Sequence, residues 1–154
     1  MTHLKIGDKA PNFEGKNQIG NLISLSGCVN NKLILYFYPK DNTPGCTKQA
    51  CSLSESYSEL TKNGFRVIGV SPDNELSHMK FIKKYNLSFD LIADVDKKIC
   101  KEYGVFGQKK FMGREYEGVH RTTFIINKDK IIEKIFHKVD TAKHSSQILE
   151  SYNN

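Results

Sequence analysis

Two cysteines five positions apart, Cys46 and Cys51, are the side chains of this sequence best placed to do chemistry. Cys46 follows an apolar run (residues 33–38) and a short loop (residues 39–45), and it opens a helical pattern. A sulfur at the start of a helix lies at the positive end of the helix dipole, where a thiolate is favoured. Pro44 and Gly45 precede it, so backbone amides can point at the sulfur, and Thr43 supplies a hydroxyl. Cys51, on the same helix, can attack whatever Cys46 becomes. Types and spacing together point to cysteine redox chemistry.

At about 100° per residue, Cys46 falls within the stripe formed by Ala50, Leu53, Tyr57 and Leu60, with Cys51 about 140° around. In an intact helix their α-carbons are roughly 8.5–9 Å apart, and a disulfide needs about 4.4–6.8 Å. The two can bond only if the first turns unwind, which couples chemistry to local unfolding. A cysteine is often just a small buried apolar residue, but Cys51, on the less apolar side, is a poor core filler. Other thiol chemistries fit less well. A thioredoxin-type reductase wants Cys-x-x-Cys at the strand–helix turn, and that spacing is absent. His3, His78, His120, His137 and His144 with the four cysteines show no paired metal-ligand spacing. A papain-like hydrolase would need a histidine base. His120 or His137 could lie near Cys46, but scattered surface histidines are the expectation.

The elements that must position these groups are legible from periodicity. Residues 12–25, interrupted by Gly15 and Ile19-Gly20-Asn21, predict a leading hairpin. The near-continuous run 33–38 predicts a central buried strand. One helix is expected from Cys46 through Leu60, closed by Asn63-Gly64. Next come a strand at 65–70, a helix at 74–85 with Leu76, Met79, Ile82 and Tyr85 on one side, a strand at 89–93 and a helix at 95–103. Residues 104–118 read as a long loop, 122–126 and 131–136 as an antiparallel pair, and a terminal helix starts near Thr141. This order argues for an α/β fold of thioredoxin-like topology: a mixed central sheet flanked by helices, with an N-terminal hairpin.

With 154 residues, and no repeat, low-complexity tract or linker, a single domain over 1–154 is expected. No apolar run approaches the ~20 residues of a membrane span. The first residues lack a signal-peptide core, so a cytoplasmic protein with reduced thiols is expected. The formal charge of +6 raises nucleic-acid binding, but the lysines are scattered and no basic block occurs, so neither nucleic acid nor membrane is an expected partner.

The stretch Tyr38-Pro39-Lys40-Asp41-Asn42-Thr43-Pro44-Gly45-Cys46-Thr47-Lys48-Gln49-Ala50-Cys51 resembles the peroxiredoxins, in particular the Q-type or bacterioferritin comigratory protein subfamily. The Pro39…Thr43…Cys46 spacing is that family's signature, and Cys51 marks the Q-type group. The similarity extends through residues 7–13, 67–71, 104–107 and 118–124; Phe106 stands where relatives often carry tryptophan. The resemblance implies a thioredoxin-fold peroxidase for hydrogen peroxide and organic hydroperoxides, with no metal, haem or flavin. It implies Cys46 as peroxidatic and Cys51 as resolving cysteine, Thr43 and Arg121 completing the site, Pro39 shielding it, and thioredoxin as electron donor. No thiol follows Cys100, so an intramolecular bridge and a monomer are favoured. Cys100, beside Ile99, is expected to be a buried structural thiol, and Cys28 to be incidentally exposed. A single-use redox sensor or chaperone, and an oxidoreductase of protein disulfides, are the rival functions.

A free cysteine of pKa about 8.5 is only about 3% ionised at pH 7. Full ionisation therefore gains at most ~30-fold, about 2 kcal/mol, against the 10⁶-fold or more typical of enzymes. Most of the acceleration must come from donors aimed at the breaking O–O bond. Arg121, the Thr43 hydroxyl and amides at the helix start are the candidates.

Overall fold

A short hairpin, β1 (Glu14–Lys16) and β2 (Leu22–Ser24), leads into β3 (Lys32–Phe37), α1 (Pro44–Glu55), α2 (Tyr57–Lys62), β4 (Phe65–Ser71), α3 (Glu75–Tyr85), β5 (Asp90–Ala93) and α4 (Lys98–Glu102). A second hairpin, β6 (Phe106–Phe111) and β7 (Arg114–Val119), precedes β8 (Thr122–Ile126), β9 (Ile132–Phe136) and α5 (His144–Glu150). This is a computed structural model, and it describes residues 2–28 and 30–153. Five strands form one sheet in the order β5-β4-β3-β8-β9. The pairs β3–β4 and β4–β5 are parallel, while β3–β8 and β8–β9 are antiparallel. The mixed sheet, its flanking helices and the leading hairpin are the expected architecture.

The middle strand explains why both faces are dry. Along β3, Leu33, Leu35 and Phe37 enter one core with Phe13, Ile68, Ile99 and Phe124. Ile34, Tyr36 and the following Tyr38 enter the other, with Cys46, Leu53, Leu60, Phe81 and Ile148. Side chains of a strand alternate between faces, so a strand covered on both sides must be apolar throughout. Burying each such side chain contributes about 1.5–3 kcal/mol. β3 is therefore a stiff platform, and its far end delivers the loop that carries Pro39 and Thr43. Tyr36 crosses β4 at Gly69, where an added Cβ would lie 2.8 Å from the Tyr36 ring and 2.7 Å from Leu91.

Several sequence expectations are corrected. The helix expected from Cys46 to Leu60 breaks at Ser56, whose hydroxyl lies 2.9 Å from that of Ser145. Ser52 receives the Ser145 backbone N–H at 3.2 Å, so Ser52 of α1 and Ser56 at the break together tie down the start of α5. Tyr57, placed on the buried stripe, is only half-buried. On α3 the inward residues are His78 and Phe81, while Leu76 faces solvent. The helix expected at 95–103 shortens to Lys98–Glu102, because Asp94 accepts the Ile99 and Cys100 amides at 3.1 and 2.8 Å and so fixes where α4 begins. The terminal helix is a 3₁₀ turn at Thr141–Lys143 before α5.

The expected loop at 104–118 is mostly the β6–β7 hairpin, closed by a two-residue turn with Phe111 opposite Arg114. Met112 and Gly113 take φ of +51° and +80°, the pattern of a type I′ turn. His137 is exposed and His120 half-buried, whereas His78 and His144 are fully buried; Cys28, expected to be exposed, is buried at 3% exposure. Among the described residues, no helix is long and apolar enough to cross a membrane.

Candidate active site

Cys46 is the third residue of α1, and Thr43 is the residue flanking its start. Pro44 has no N–H, and the Thr43 side chain caps nothing; its hydroxyl donates instead to the Lys40 carbonyl at 2.8 Å. The first backbone bond of the helix runs from Thr47 N–H to the Thr43 carbonyl. The Gly45 and Cys46 amides have no acceptor among the described residues, and they open toward the sulfur's end of the helix. Such orphaned amides are a ready anion-binding feature.

Arg121 reaches this point from the residue before β8. Its Nη2 donates to Cys46 Sγ at 3.3 Å, and its Nη1 donates to Gln49 Oε1 at 2.6 Å. The guanidinium thus bridges residues one turn apart on α1, a use for which its planar fork is suited. Gly45 leaves it room: a Cβ there would lie 3.2 Å from Nη2. Gln49 is fully buried, and its Nε2 has no partner among the described residues. The Tyr36 hydroxyl, in the same core, also has no partner among the described residues; burial first, then the charge at Cys46, pushes it well above the usual phenol range.

Of the residues singled out by sequence, the structure brings Cys46 and Arg121 into contact and sets Thr43 at the mouth of the same helix. Pro39 is half-buried two residues after β3. Cys51 is half-buried on α1 and not bonded to Cys46. It lines a surface cleft of about 250 Å³ with Tyr85, Asn86 and Ser88. Burial, then the carboxylate of Glu55, pushes its thiol above the usual range.

The Cys46 sulfur is bonded to no histidine among the described residues, so neither His120 nor His137 serves it as a base. Cys100 is wholly buried, and burial with the charge of Asp94 pushes its thiol far up. Cys28 is held by Arg66 Nη1 at 3.4 Å and by the Ser24 carbonyl, with burial again raising it.

Sequence reasoning missed three groups around this centre. Gln49 carried a signal, since it stands one turn after Cys46. Lys109 did not, because the strand that holds it reads as loop. It donates to the Val119 carbonyl at 2.9 Å, and burial, then Arg121, push its ammonium below the usual range, with Cys46 opposing. The third group is a buried polar cluster around Asp41, in the loop itself.

The AhpC/TSA family model matches residues 6–135. Peroxiredoxin Bcp of Escherichia coli K12 is 41% identical over 149 residues, 97% of this chain and 96% of the relative. The chain is a peroxiredoxin of the AhpC/TSA family. A mutant PrxQ of Xylella fastidiosa superposes with a TM-score of 0.92 at 29% identity, covering 99% of this peroxiredoxin and 98% of that chain. A structure of the bacterioferritin comigratory protein of Xanthomonas campestris, solved to examine its alkyl peroxide reduction activity, gives 0.86 at 28% identity over 98% and 96% of the two chains. The peroxiredoxin is therefore a thioredoxin-fold protein of the Bcp and Q type, and by class a thiol peroxidase.

Proposed function

We propose that this chain reduces hydrogen peroxide and organic hydroperoxides through Cys46, with Cys51 as resolving partner and thioredoxin as electron donor. The observation that carries the reading is the Arg121 Nη2–Cys46 Sγ contact of 3.3 Å at a helix start whose amides are unused. The Cys46 thiolate attacks the near oxygen of the O–O bond. The S–O bond forms as the O–O bond breaks, and the far oxygen leaves as alkoxide or hydroxide, taking a proton to become alcohol or water. Arg121 supplies N–H donors to the oxygens as charge develops on them. The Thr43 hydrogen is committed to the Lys40 carbonyl, so Thr43 is not the donor expected from the sequence; its oxygen presents lone pairs and accepts the peroxide O–H. Pro39 shields the sulfur from bulk water. The alkyl peroxide activity attributed to the Xanthomonas relative supports organic hydroperoxides as substrates.

Cys51 then condenses with the sulfenic acid of Cys46, releasing water, once the first turns of α1 have loosened. A dithiol donor afterwards reduces the disulfide by exchange. The depth of Cys100 disfavours it as a resolver. Both thiols of the cycle lie in one helix, so no second subunit is needed to complete it, and the protein acts as a monomer, in the cytoplasm where its thiols stay reduced.

The test is NADPH consumption coupled through thioredoxin reductase and thioredoxin. Wild type turns over many equivalents of peroxide, Cys46→Ser none, and Cys51→Ser reacts once and stalls with thioredoxin. Peptide mapping after one equivalent of peroxide finds Cys46–Cys51. One turnover by wild type would instead indicate a sensor, and reduction of insulin without peroxide a protein-disulfide reductase.

A further inference from the structure

The buried polar cluster beneath the catalytic loop has no place in the chemistry above. His78 of α3 and Asp41 of the loop are 0% and 7% exposed, and His78 Nδ1 lies 2.7 Å from Asp41 Oδ2. The other ring nitrogen, Nε2, lies 2.9 Å from the Ile92 carbonyl of β5. A carbonyl only accepts, so Nε2 carries a hydrogen. Asp41 also receives the Tyr38 hydroxyl at 2.6 Å on Oδ1 and the Ser77 hydroxyl at 2.7 Å on Oδ2. Its backbone N–H donates to Asp73 at 2.8 Å, and Asp73 is itself held by Ser71 at 2.7 Å.

Residue 41 is thus tied to the end of β3, the end of β4 and the first turn of α3, and through His78 to β5. Asn42 follows in the left-handed region (φ +59°) with its side chain accepting from the Tyr85 hydroxyl at 3.0 Å. Thr43 and α1 come next. Asp41, Asp73 and His78 are of types that bind cations, with one ligating atom of each within 4.8 Å of the others. But Asp41 already accepts three side-chain donors, Asp73 accepts two, and both ring nitrogens are engaged, so the cluster holds itself together without an ion.

We propose that the Asp41–His78 pair is a clamp that positions Thr43 and the first turn of α1 for peroxide attack, and whose grip sets how readily that turn unwinds to let Cys46 meet Cys51. The inference rests on Cys46 and Cys51 as the reacting pair. Both residues are positioning residues, since neither touches the sulfur. Loosening the clamp drives the two half-reactions in opposite directions: attack needs the folded turn, and disulfide closure needs it opened. General damage to the fold would slow both.

The test uses full-length reduced protein. In Asp41→Ala and His78→Ala, hydrogen exchange at the amides of residues 47–50, which donate to residues 43–46 and so close the first turn of α1, quickens by about tenfold or more, the scale set by loss of a buried charged hydrogen bond. Single-turnover peroxide attack slows by a similar factor, while closure of the disulfide becomes faster. Asp41→Asn recovers most of the attack rate. Its amide oxygen accepts from Tyr38, and its NH₂ donates to Nδ1 of a neutral imidazole that keeps Nε2–H on the Ile92 carbonyl.

Exchange and attack both within twofold of the parent in the alanine variants would overturn the clamp, as would equal slowing of both steps, or an asparagine variant no better than alanine. If the alanine variants do not fold, Tyr38→Phe decides: removing one of three donors to Asp41 quickens exchange about threefold, and unchanged exchange refutes the proposal. A parent protein that leaves peroxide intact sinks the peroxidase reading, and the exchange measurement still judges the clamp separately.

Discussion

Replacing Arg121 with methionine separates two ways in which a guanidinium could help a sulfur. At 3.3 Å and an effective dielectric near 20, a full charge on sulfur would interact with Nη2 by about 5 kcal/mol before desolvation is subtracted. Removal of one preorganised donor from an enzyme site typically costs about 2.7–4 kcal/mol, or 10²–10³ in rate. Help through ionisation alone is capped at ~30-fold at pH 7. Arg121→Met should therefore slow single-turnover peroxide reduction, followed by stopped flow, by about 10²–10³ at pH 7. An unassisted cysteine is about 90% ionised at pH 9.5, so raising the pH removes the ionisation share and leaves the rest. With up to ~30-fold of the loss removed, the variant should remain about 3- to 30-fold below wild type there. A few-fold loss at pH 7, or full recovery at pH 9.5, would show that the guanidinium acts only by ionising the thiol and would refute the donor role.

Gln49→Leu frees Arg121 from its 2.6 Å anchor and should slow attack about tenfold. Its melting temperature should stay within a few degrees of wild type, because the change also deletes a buried, unpartnered N–H₂. Glu55→Gln removes the carboxylate that, after burial, raises the Cys51 thiol. Disulfide closure at pH 7, measured by quenching and alkylation, should then quicken by about twofold, the scale of an exposed charge pair. His144, buried between Thr123 and Gln147, has its pKa lowered to about 4, chiefly by burial. The unfolded chain, with a histidine near 6.5, binds the proton first, so this stability is present above pH 6.5 and lost as pH falls toward 4. The loss is about 1.4 kcal/mol per unit, about 3 kcal/mol in all, and urea titrations at pH 7 and pH 4.5 should show it reduced in His144→Gln.

The parts of the fold that were legible are those whose burial follows a simple period. Residues 33–38 are apolar because both faces of β3 are covered, and no competing pattern obscures them. The β6–β7 hairpin was illegible for the opposite reason. Most of it is exposed on both faces, so no alternation develops, and its turn is Met112-Gly113 and not the Asn-Gly that announces such turns. The inward face of α3 was misread because His78 counts as polar until its partners are known. Asp41 lies 37 positions away, and Ile92 is on another strand.

In the site, the local motif gave Thr43 and the two cysteines by spacing. Arg121, 75 positions from Cys46, came only from resemblance. Its tether to Gln49 and the neighbouring Lys109 depend on how β8 and the second hairpin lie against α1, which no local pattern encodes. Cys28 was misplaced because a short polar loop suggests exposure, whereas the thiol is tucked under Arg66.

The bare beginning of α1 would tempt anyone wishing to toughen this protein. An aspartate in place of Thr43, accepting the idle N–H groups, is a simple remedy for a frayed helix and would be worth about 1 kcal/mol in melting experiments. Here the remedy would be self-defeating. It would fill with a fixed anion the very donors that an incoming oxidant needs, and it would stiffen the segment that must come apart for the second sulfur to arrive. Hardiness and turnover are set against each other at one residue.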